Sequence, residues 1–162
     1  MTDTIRKMQP SDWDSVANIY KQGIEDGTST FNRECPPYCE WDEAHLSNCR
    51  YVYEIDGVIV GWLAVSPVSK RIVYSGCVEE SIYIDRDYQG RGIGGRLLEK
   101  LIEECRDYGI YSILAVVFQR NINSLKLHKK CGFREIGYRE RVARDRFDEW
   151  QNTVMLEYRF PG

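Results

Sequence analysis

Apolar residues recur along the chain with two different periods, and the change between them predicts a mixed fold of helices and strands. Spacings of three to four residues indicate helices, and short alternating or continuous apolar runs indicate strands. The predicted helices cover 13–24, 39–46, 93–105 and a segment from Asn121 or Asn123 to Cys131. The predicted strands cover 4–7, 51–55, 58–65, 78–84 and 112–118, with two closing strands from Phe133 onward.

Turn and cap residues fix how these elements connect. Asp56-Gly57 is a favoured two-residue hairpin turn, so the strands on either side of it are predicted to pair antiparallel. Ser11 or Asp12 is expected to cap the first helix. No internal repeat, low-complexity tract or linker rich in proline and serine divides the sequence. Residues 1–162 are therefore predicted to form one domain of the α+β class.

Composition narrows the classes of function. The chain is 43% hydrophobic and 29% charged, with a formal net charge of -3 and no long basic block, so we expect no nucleic-acid partner and no membrane surface. No run approaches the roughly 18 apolar residues of a membrane span, and the polar amino terminus does not resemble a secretion signal. We expect a cytoplasmic protein with free thiols, and the spacing of Cys35, Cys39, His45 and Cys49 fits no compact zinc motif.

The segment from Gln89 to Gly95 is the first candidate for chemistry. Its glycines satisfy the G-x-G-x-x-G pattern of dinucleotide sites, but the following strand ends in Gln119-Arg120 without the acidic residue that such sites need for the ribose. A glycine-rich turn that opens a helix still presents unpaired N–H groups to an anion, and a pyrophosphate fits there. Arg91 and Arg96 can add charge, and a purely structural turn is the alternative interpretation.

Two motifs together resemble the GNAT acetyltransferases. Gln89 to Gly94 resembles the signature Q/R-x-x-G-x-G/A, and 121–133 resembles N-x-x-A/S-x-x-L-Y/H-x-x-x-G-F. The resemblance implies a GNAT fold, which is a central, twisted, mostly antiparallel sheet of about six or seven strands flanked by about four helices, with acetyl-CoA as co-substrate and no metal. By this resemblance the cofactor contacts are Ile82, Tyr83, Ile84, Gln89, Gly90, Arg91, Gly92, Ile93, Gly94, Gly95, Asn121, Ser124 and Lys130.

Further matches resemble the phosphinothricin and methionine sulfone acetyltransferase branch of that superfamily. Thr28 to Phe31 is similar to T-x-T-F, Arg71 to Tyr74 to R-x-A-Y, and Glu79 to Ile84 to E-x-S-V-Y-V. The resemblance implies N-acetylation of a small amino-acid-like amine, commonly by a homodimer. The implied substrate contacts are Phe31, Arg71, Val73 and Tyr74, with Arg71 suited to a carboxylate. Gly76, Cys77 and Asn152 depart from the branch, so the side chain of the substrate stays open.

Acetyl transfer needs a neutral amine, and a base must remove the proton of the ammonium. The resemblance gives Glu79 this role, directly or through a water, while Glu80 points to the other face of a regular strand and a bulge would exchange the two. His128 stands where many GNAT enzymes have a tyrosine, and it either protonates the CoA thiolate or only orients the thiol. Acetylation of a protein or peptide and a silent acetyl-CoA sensor are the alternative functions.

Overall fold

All seven strands belong to one sheet in the computed structural model, which describes residues 2–161. The strands are β1 (Asp3–Lys7), β2 (Tyr51–Ile55), β3 (Val58–Pro67), β4 (Cys77–Ile84), β5 (Ser112–Phe118), β6 (Arg134–Arg144) and β7 (Trp150–Arg159). The helices are α1 (Trp13–Asp26), α2 (Tyr38–Ala44), α3 (Ile93–Glu104) and α4 (Ile122–Lys130). The predicted α+β class and the predicted numbers of strands and helices are confirmed.

The sheet is antiparallel except at one place. Its strand order is β1-β2-β3-β4-β5-β7-β6, and only β4 and β5 run parallel. These two strands pair at Cys77 with Ser112, Val78 with Ile113 and Glu79 with Leu114, and no further. Beyond Glu79, β4 continues on β3 while β5 continues on β7. The sheet therefore splits into two arms at the middle of β4.

The core forms two layers, one on each face of the sheet. One layer lies under α3 and includes Leu97, Leu98 and Leu101, which are all fully buried. The other lies under α1 and α2 and is largely aromatic, with Trp41 and Trp62 each 1% exposed. Burial of aromatic and branched apolar side chains on both faces is the dominant stabilising contribution in a sheet of this kind. The split between β4 and β5 is an opening in the sheet that separates these two layers.

Most element boundaries agree with the sequence, and the exceptions have local causes. Asn121 caps α4, since its side chain accepts from Ser124 N at 3.3 Å. Asp12 does not cap α1 with its side chain, because its carboxylate accepts from Arg6 and from Gln9 N instead. Helix α2 is shorter than predicted, and it ends where His45 becomes extended. No helix within 2–161 is long and apolar enough to cross a membrane.

Candidate active site

The split between β4 and β5 opens into a cavity of about 710 Å³, which we call the β4–β5 cavity. Strand β4 contributes Glu79 to Ile84 to its wall, and β5 contributes Val116, Val117 and Phe118. The remaining wall comes from α1, the loop that follows α1, α4, and the start of α3. The cavity thus meets the amino terminus of α3 at one end and the loop after α1 at the other.

One edge of β4 is available along the cavity. From Glu80 to Ile84 the strand pairs with β3 alone, because its ladder to β5 has already ended at Glu79. Strand edges carry backbone N–H and C=O groups that accept an extended ligand. Gln89 marks the end of this edge, since its Nε2 donates to the Ile84 carbonyl at 2.9 Å.

The glycine loop between β4 and α3 has the backbone shape of an anion cradle. Gly90 and Gly92 have φ of 76° and 77°, a left-handed conformation that favours glycine, and no heavy atom lies within 4 Å of the position a Cβ would take at either one. The first intrahelical bond of α3 runs from Arg96 N to Gly92 O, so the earlier N–H groups have no helical acceptor. Arg91 lies over the Tyr88 ring at 4.9 Å, and Arg96 is held by Asp3 and Tyr53.

The opposite end of the cavity is formed by the loop 27–32. Arg120 ties this loop to the β6–β7 turn, since its Nη2 donates to Gly27 O at 2.8 Å and to the fully buried Asp145 carboxylate at 3.1 Å. Asn121 reaches the next carbonyl, that of Thr28, at 3.4 Å. Phe31 packs on Phe118 with ring centroids 4.5 Å apart. The loop is therefore anchored by polar contacts to the same residues that begin α4.

Glu79 and Glu80 lie on opposite faces of β4 at the point where the strands separate. Tyr83 packs in the core under α1, whereas Val78 and Ile82 contact the core under α3. By alternation Glu79 shares the face of Tyr83, and Glu80 shares the other. Both nevertheless line the β4–β5 cavity, because the missing β5 neighbour leaves the gap open to both faces.

The surroundings of Glu79 favour its protonated form. The side chain is half-buried and makes no hydrogen bond to residues 2–161. Burial, followed by the charge of Glu80, raises the pKa of Glu79 above its usual value. A carboxylate with a raised pKa is a stronger base than an ordinary exposed one, which suits it to take a proton from an ammonium.

Glu80 forms a buried contact with His128 that the sequence did not predict. His128 Nε2 lies 2.6 Å from Glu80 Oε1, and the two side chains are 5% and 4% exposed. The other ring nitrogen, Nδ1, lies 2.7 Å from the Ser124 carbonyl within α4. Burial alone would lower the pKa of His128, but the hydrogen bond and charge of Glu80 outweigh it and raise the pKa. No local motif signals this contact, because it depends on how α4 packs on β4.

The cavity brings together most, but not all, of the predicted site residues. Its wall includes Phe31, Glu79, Ile82, Tyr83, Ile84, Gln89, Gly94, Asn121, Ser124 and His128. Gly90, Arg91, Gly92, Ile93 and Gly95 belong to the adjoining loop and helix start, and Lys130 lies exposed at the end of α4. The cavity also includes Tyr20 and His45, which sequence reasoning did not assign to the site.

Arg71, Val73 and Tyr74 do not lie in the wall of the cavity. They belong to a short exposed 3₁₀ turn, Ile72–Tyr74 with Arg71 before it, in which Arg71 stacks on the Tyr74 ring at 5.6 Å. Gly76, one of the departures from the branch, has a physical reason: a Cβ there would lie 2.3 Å from the Tyr111 ring. Asn152, another departure, accepts from Arg141 N at 2.7 Å and so supports the β6–β7 hairpin.

The cysteines differ in burial, and the two most buried are held protonated. All six are free thiols, and burial raises the pKa of Cys49 to about 11 and that of Cys105 to about 12. Between residues 2 and 161, no group of three or more His, Cys, Asp or Glu side chains is arranged to hold a metal ion. Protonated buried thiols such as those of Cys49 and Cys105 are poor nucleophiles.

A split sheet with a glycine cradle before α3 and carboxylates at the split defines an acyltransferase architecture, and comparison with known proteins agrees. The profile of the Acetyltransferase (GNAT) family matches residues 13–133, and the chain belongs to that family. The phosphinothricin N-acetyltransferase of Alcaligenes faecalis is 30% identical over 95% of this chain and 81% of its own length. The L-methionine sulfoximine/L-methionine sulfone acetyltransferase of Pseudomonas aeruginosa PAO1 is 24% identical over 97% of this chain and 94% of its own.

A solved structure provides the same comparison in three dimensions. The phosphinothricin acetyltransferase of Sinorhizobium meliloti, crystallised in complex with acetyl-CoA, superposes with a TM-score of 0.88. It is 25% identical, and the match covers 99% of this chain and 89% of that one. The resemblance that the sequence motifs indicated, to GNAT acetyltransferases of the phosphinothricin and methionine sulfone branch, is thereby confirmed.

Proposed function

We propose that this protein is an acetyl-CoA-dependent N-acetyltransferase that acts on the amine of a small amino-acid-like molecule, such as phosphinothricin, methionine sulfone or methionine sulfoximine. The observation that carries the proposal is the pair of carboxylates, Glu79 and Glu80, at the point where β4 leaves β5. A glycine cradle lies at one end of the cavity beside them and a polar, anchored loop at the other. The proposed place of action is the cytoplasm.

The cofactor end fits the two halves of acetyl-CoA. The free edge of β4 from Ile82 to Ile84 offers backbone groups to the amides of the pantetheine arm, and the N–H groups after Gly90 and Gly92 offer hydrogen bonds and the positive end of the α3 dipole to the pyrophosphate. Asn121 and Ser124 line the far side of the arm. Acetyl-CoA, when bound, supplies the thioester whose acyl carbon receives the amine nitrogen.

The acceptor end supports a small amine. Thr28, Ser29, Thr30 and Asn32 bring hydroxyl and amide groups to the cavity, and Phe31 narrows it. The loop is fixed by Arg120 and Asn121, so a ligand meets preorganised polar groups. In this proposal Glu79 takes the proton from the ammonium, which leaves the nitrogen lone pair free to attack.

The enzyme is proposed to act as a homodimer. The short turn around Ile72 and the neighbouring Val68 and Tyr111 expose apolar side chains at one end of the sheet, with Ile72 88% exposed. Exposed apolar groups that adjoin one another are typical of interfaces. Arg71 and Tyr74 belong to the same surface, so any contact they make with substrate in this arrangement depends on the second copy.

The test is release of CoA thiol from acetyl-CoA across a panel of amines. The panel contains phosphinothricin, methionine sulfone, methionine sulfoximine, ordinary amino acids, polyamines and a peptide. We expect turnover confined to the amino-acid analogues.

The proposed base is tested by Glu79→Gln, which we expect to lower kcat by at least about 100-fold while the affinity for acetyl-CoA is kept. Glu135→Gln is the matched control, since the Glu135 side chain is half-exposed and its one ion pair within residues 2–161 is with Lys129. Turnover with the peptide alone would replace the small-molecule proposal, and unchanged turnover in Glu79→Gln would remove Glu79 as the base.

A further inference from the structure

The geometry of the contact between Glu80 and His128 shows how many protons the two side chains carry. His128 Nδ1 lies 2.7 Å from the Ser124 carbonyl and 3.4 Å from the Ser124 hydroxyl. The carbonyl is the closer partner and only accepts, so Nδ1 carries a proton. His128 Nε2 lies 2.6 Å from a carboxylate oxygen of Glu80. If Glu80 were ionised and His128 neutral, this contact would join two acceptors. A proton therefore lies between Nε2 and Oε1, either as an imidazolium with a carboxylate or as a neutral imidazole with a carboxylic acid.

Burial makes this shared proton the favourable state. The two side chains are 5% and 4% exposed, and an unpaired charge at such a depth is strongly unfavourable. Sharing one proton satisfies both partners at once, and Phe133 packs edge-on against the imidazole at 5.1 Å. The raised pKa of His128, which Glu80 causes against the opposing effect of burial, agrees with this geometry.

Only one member of the pair is free to deliver that proton into the cavity. Both ring nitrogens of His128 are engaged, Nδ1 by Ser124 and Nε2 by Glu80. The second carboxylate oxygen of Glu80 receives no hydrogen bond from any residue between 2 and 161, and Glu80 lines the β4–β5 cavity. Because both ring nitrogens of His128 are engaged, the shared proton leaves and re-enters the pair through the Glu80 carboxyl, while His128 holds that carboxyl and shares its proton.

We propose that Glu80 is the acid that protonates the departing CoA thiolate, and that His128 is a positioning residue that keeps Glu80 supplied with the proton. The inference rests on the proposed acetyl transfer. As the amine nitrogen bonds to the acyl carbon, the carbon–sulfur bond breaks and its electron pair passes to sulfur. Glu79 takes one proton from the ammonium before the attack and releases it to water, and it takes the second proton from the nitrogen as the amide forms. Glu80 gives its proton to the sulfur, and both carboxyl groups then exchange protons with water. In this proposal the base, Glu79, and the acid, Glu80, lie on opposite faces of β4.

The groups around the pair are few. On β4 the titratable neighbours are Glu79 and Tyr83, and Cys131 follows α4 with a pKa that burial and nearby carboxylates raise. Strand β5 brings only Val116, Val117 and Phe118 to the cavity, and α3 brings Gly94. The other charged side chains in the cavity wall are Asp26, Glu79 and Arg86. Of these Glu79 adjoins the pair on β4, and it is the group proposed to accept the other protons.

The first test measures the protonation state of the two histidines in the wild-type enzyme. The measurement is ¹⁵N NMR of the labelled imidazoles as a function of pH. The chain has only His45 and His128, and a His45→Gln variant assigns both. We expect His128 to keep a proton at both nitrogens, or shared from Nε2, at pH values above 6.5, and to become a neutral imidazole protonated at Nδ1 in Glu80→Gln. A wild-type His128 that is neutral at pH 7 and protonated at Nε2 would overturn the proposal. Because this readout needs no amine, it is independent of whether the right substrate is known.

The second test is the pH profile of kcat. The wild type should lose activity at high pH, because the pair of Glu80 and His128 loses its proton there. Glu80→Gln should lower kcat by about 100-fold and abolish that loss of activity at high pH. The KM for the amine should change little in this variant. His128→Gln should also lower kcat, because Glu80 then lacks the partner that shares the proton, and it serves as the second variant if Glu80→Gln fails to fold. Glu135→Gln should keep the full profile. A Glu80→Gln enzyme with wild-type kcat and an unchanged high-pH loss would remove Glu80 as the acid.

Discussion

At the scale of single residues, neighbouring carboxylates in one strand acquire different properties from their surroundings. The Glu79 side chain has no hydrogen-bond partner among residues 2–161 and has a raised pKa, whereas Glu80 is buried against His128. Alternation places them on opposite faces, and the early end of the β4–β5 ladder lets both reach one cavity. A single strand therefore supplies two carboxyl groups with different surroundings to one cavity, as the proposed division into base and acid requires.

The raised pKa of Glu79 predicts a conflict between stability and activity. A carboxyl whose pKa is higher in the folded than in the unfolded chain is destabilising when ionised, so the protein gains stability as the pH falls through the folded pKa. Glu79→Gln should therefore increase the free energy of unfolding at pH 7, by less than about 1 kcal/mol, while it abolishes turnover. The increase should shrink at lower pH, where the wild-type Glu79 is itself protonated. Urea unfolding of both proteins at pH 7 and pH 5 measures it, and a variant that is less stable at pH 7 would contradict it.

The sequence predicted some of these residues better than others, because contacts between residues far apart in the sequence leave no local pattern. Glu79 and Phe31 lie in short motifs whose spacing is visible in one segment, and both line the cavity. The contact of Glu80 with His128 joins residues 48 positions apart and depends on the packing of α4, which no local pattern encodes. Arg71 lies in an equally clear motif, yet the fold leaves it exposed outside the cavity, and its contact with substrate stays a prediction.

At the scale of elements, the start of α3 has to pack on α4 while it presents its N–H groups to the cofactor. A Cβ at Gly94 would lie 3.0 Å from Leu127 Cδ2, and one at Gly95 would lie at an ordinary 3.5 Å from Leu127 Cδ1. The contacted methyl is the far end of the Leu127 side chain, which has to move by a few tenths of an ångström to admit a Cβ at 94. Leu127 precedes His128 on α4, so position 94 packs more tightly against the helix of the proposed positioning residue than position 95 does.

These distances predict opposite results for two alanine substitutions in one helical turn. Gly95→Ala should stabilise the protein by about 0.5–1 kcal/mol, because alanine favours the helix and the added methyl makes an ordinary contact. Gly94→Ala should gain less or lose stability, and it should raise the KM for acetyl-CoA severalfold by moving Leu127. Urea unfolding and initial rates at varied acetyl-CoA check both expectations. Equal behaviour of the two variants would mean that α4 adapts to the added methyl without cost.

The elements themselves were largely predictable, because their periodicity is strong. The apolar stripe of α3, the turn at Asp56-Gly57 and the cap at Asn121 are local signals, and each has the expected structure. The split between β4 and β5 is not visible in the sequence of either strand, because it depends on which neighbours the two strands pair with. The early end of α2 and the 3₁₀ turn around Ile72 were missed, since short segments without an apolar stripe carry little information.

At the scale of the whole molecule, one end of the sheet is apolar and uncovered in a single chain. Ile72, Val73 and Tyr74 are 88%, 68% and 43% exposed, and Val68 and Tyr111 add 45% and 41%. Tyr111 occupies the space beside Gly76 and so joins the turn to β5. An adjoining set of exposed apolar side chains of this kind is costly in water and is typical of a surface that another chain covers.

The proposed homodimer predicts that a charge on this surface separates the subunits. The wild type should have about twice the 19.0 kDa mass of one chain in light scattering after size-exclusion chromatography, and Ile72→Asp should have the mass of one chain. Val58→Asp is the matched control, since Val58 is 57% exposed and begins β3 at the end of that strand opposite to Val68. If Arg71 and Tyr74 reach the substrate of the second copy, Ile72→Asp should also raise the KM for the amine while acetyl-CoA affinity is unchanged. A wild type with the mass of one chain at micromolar concentration would refute the dimer, and a monomeric Ile72→Asp variant with wild-type kinetics would show that each cavity is complete without its partner.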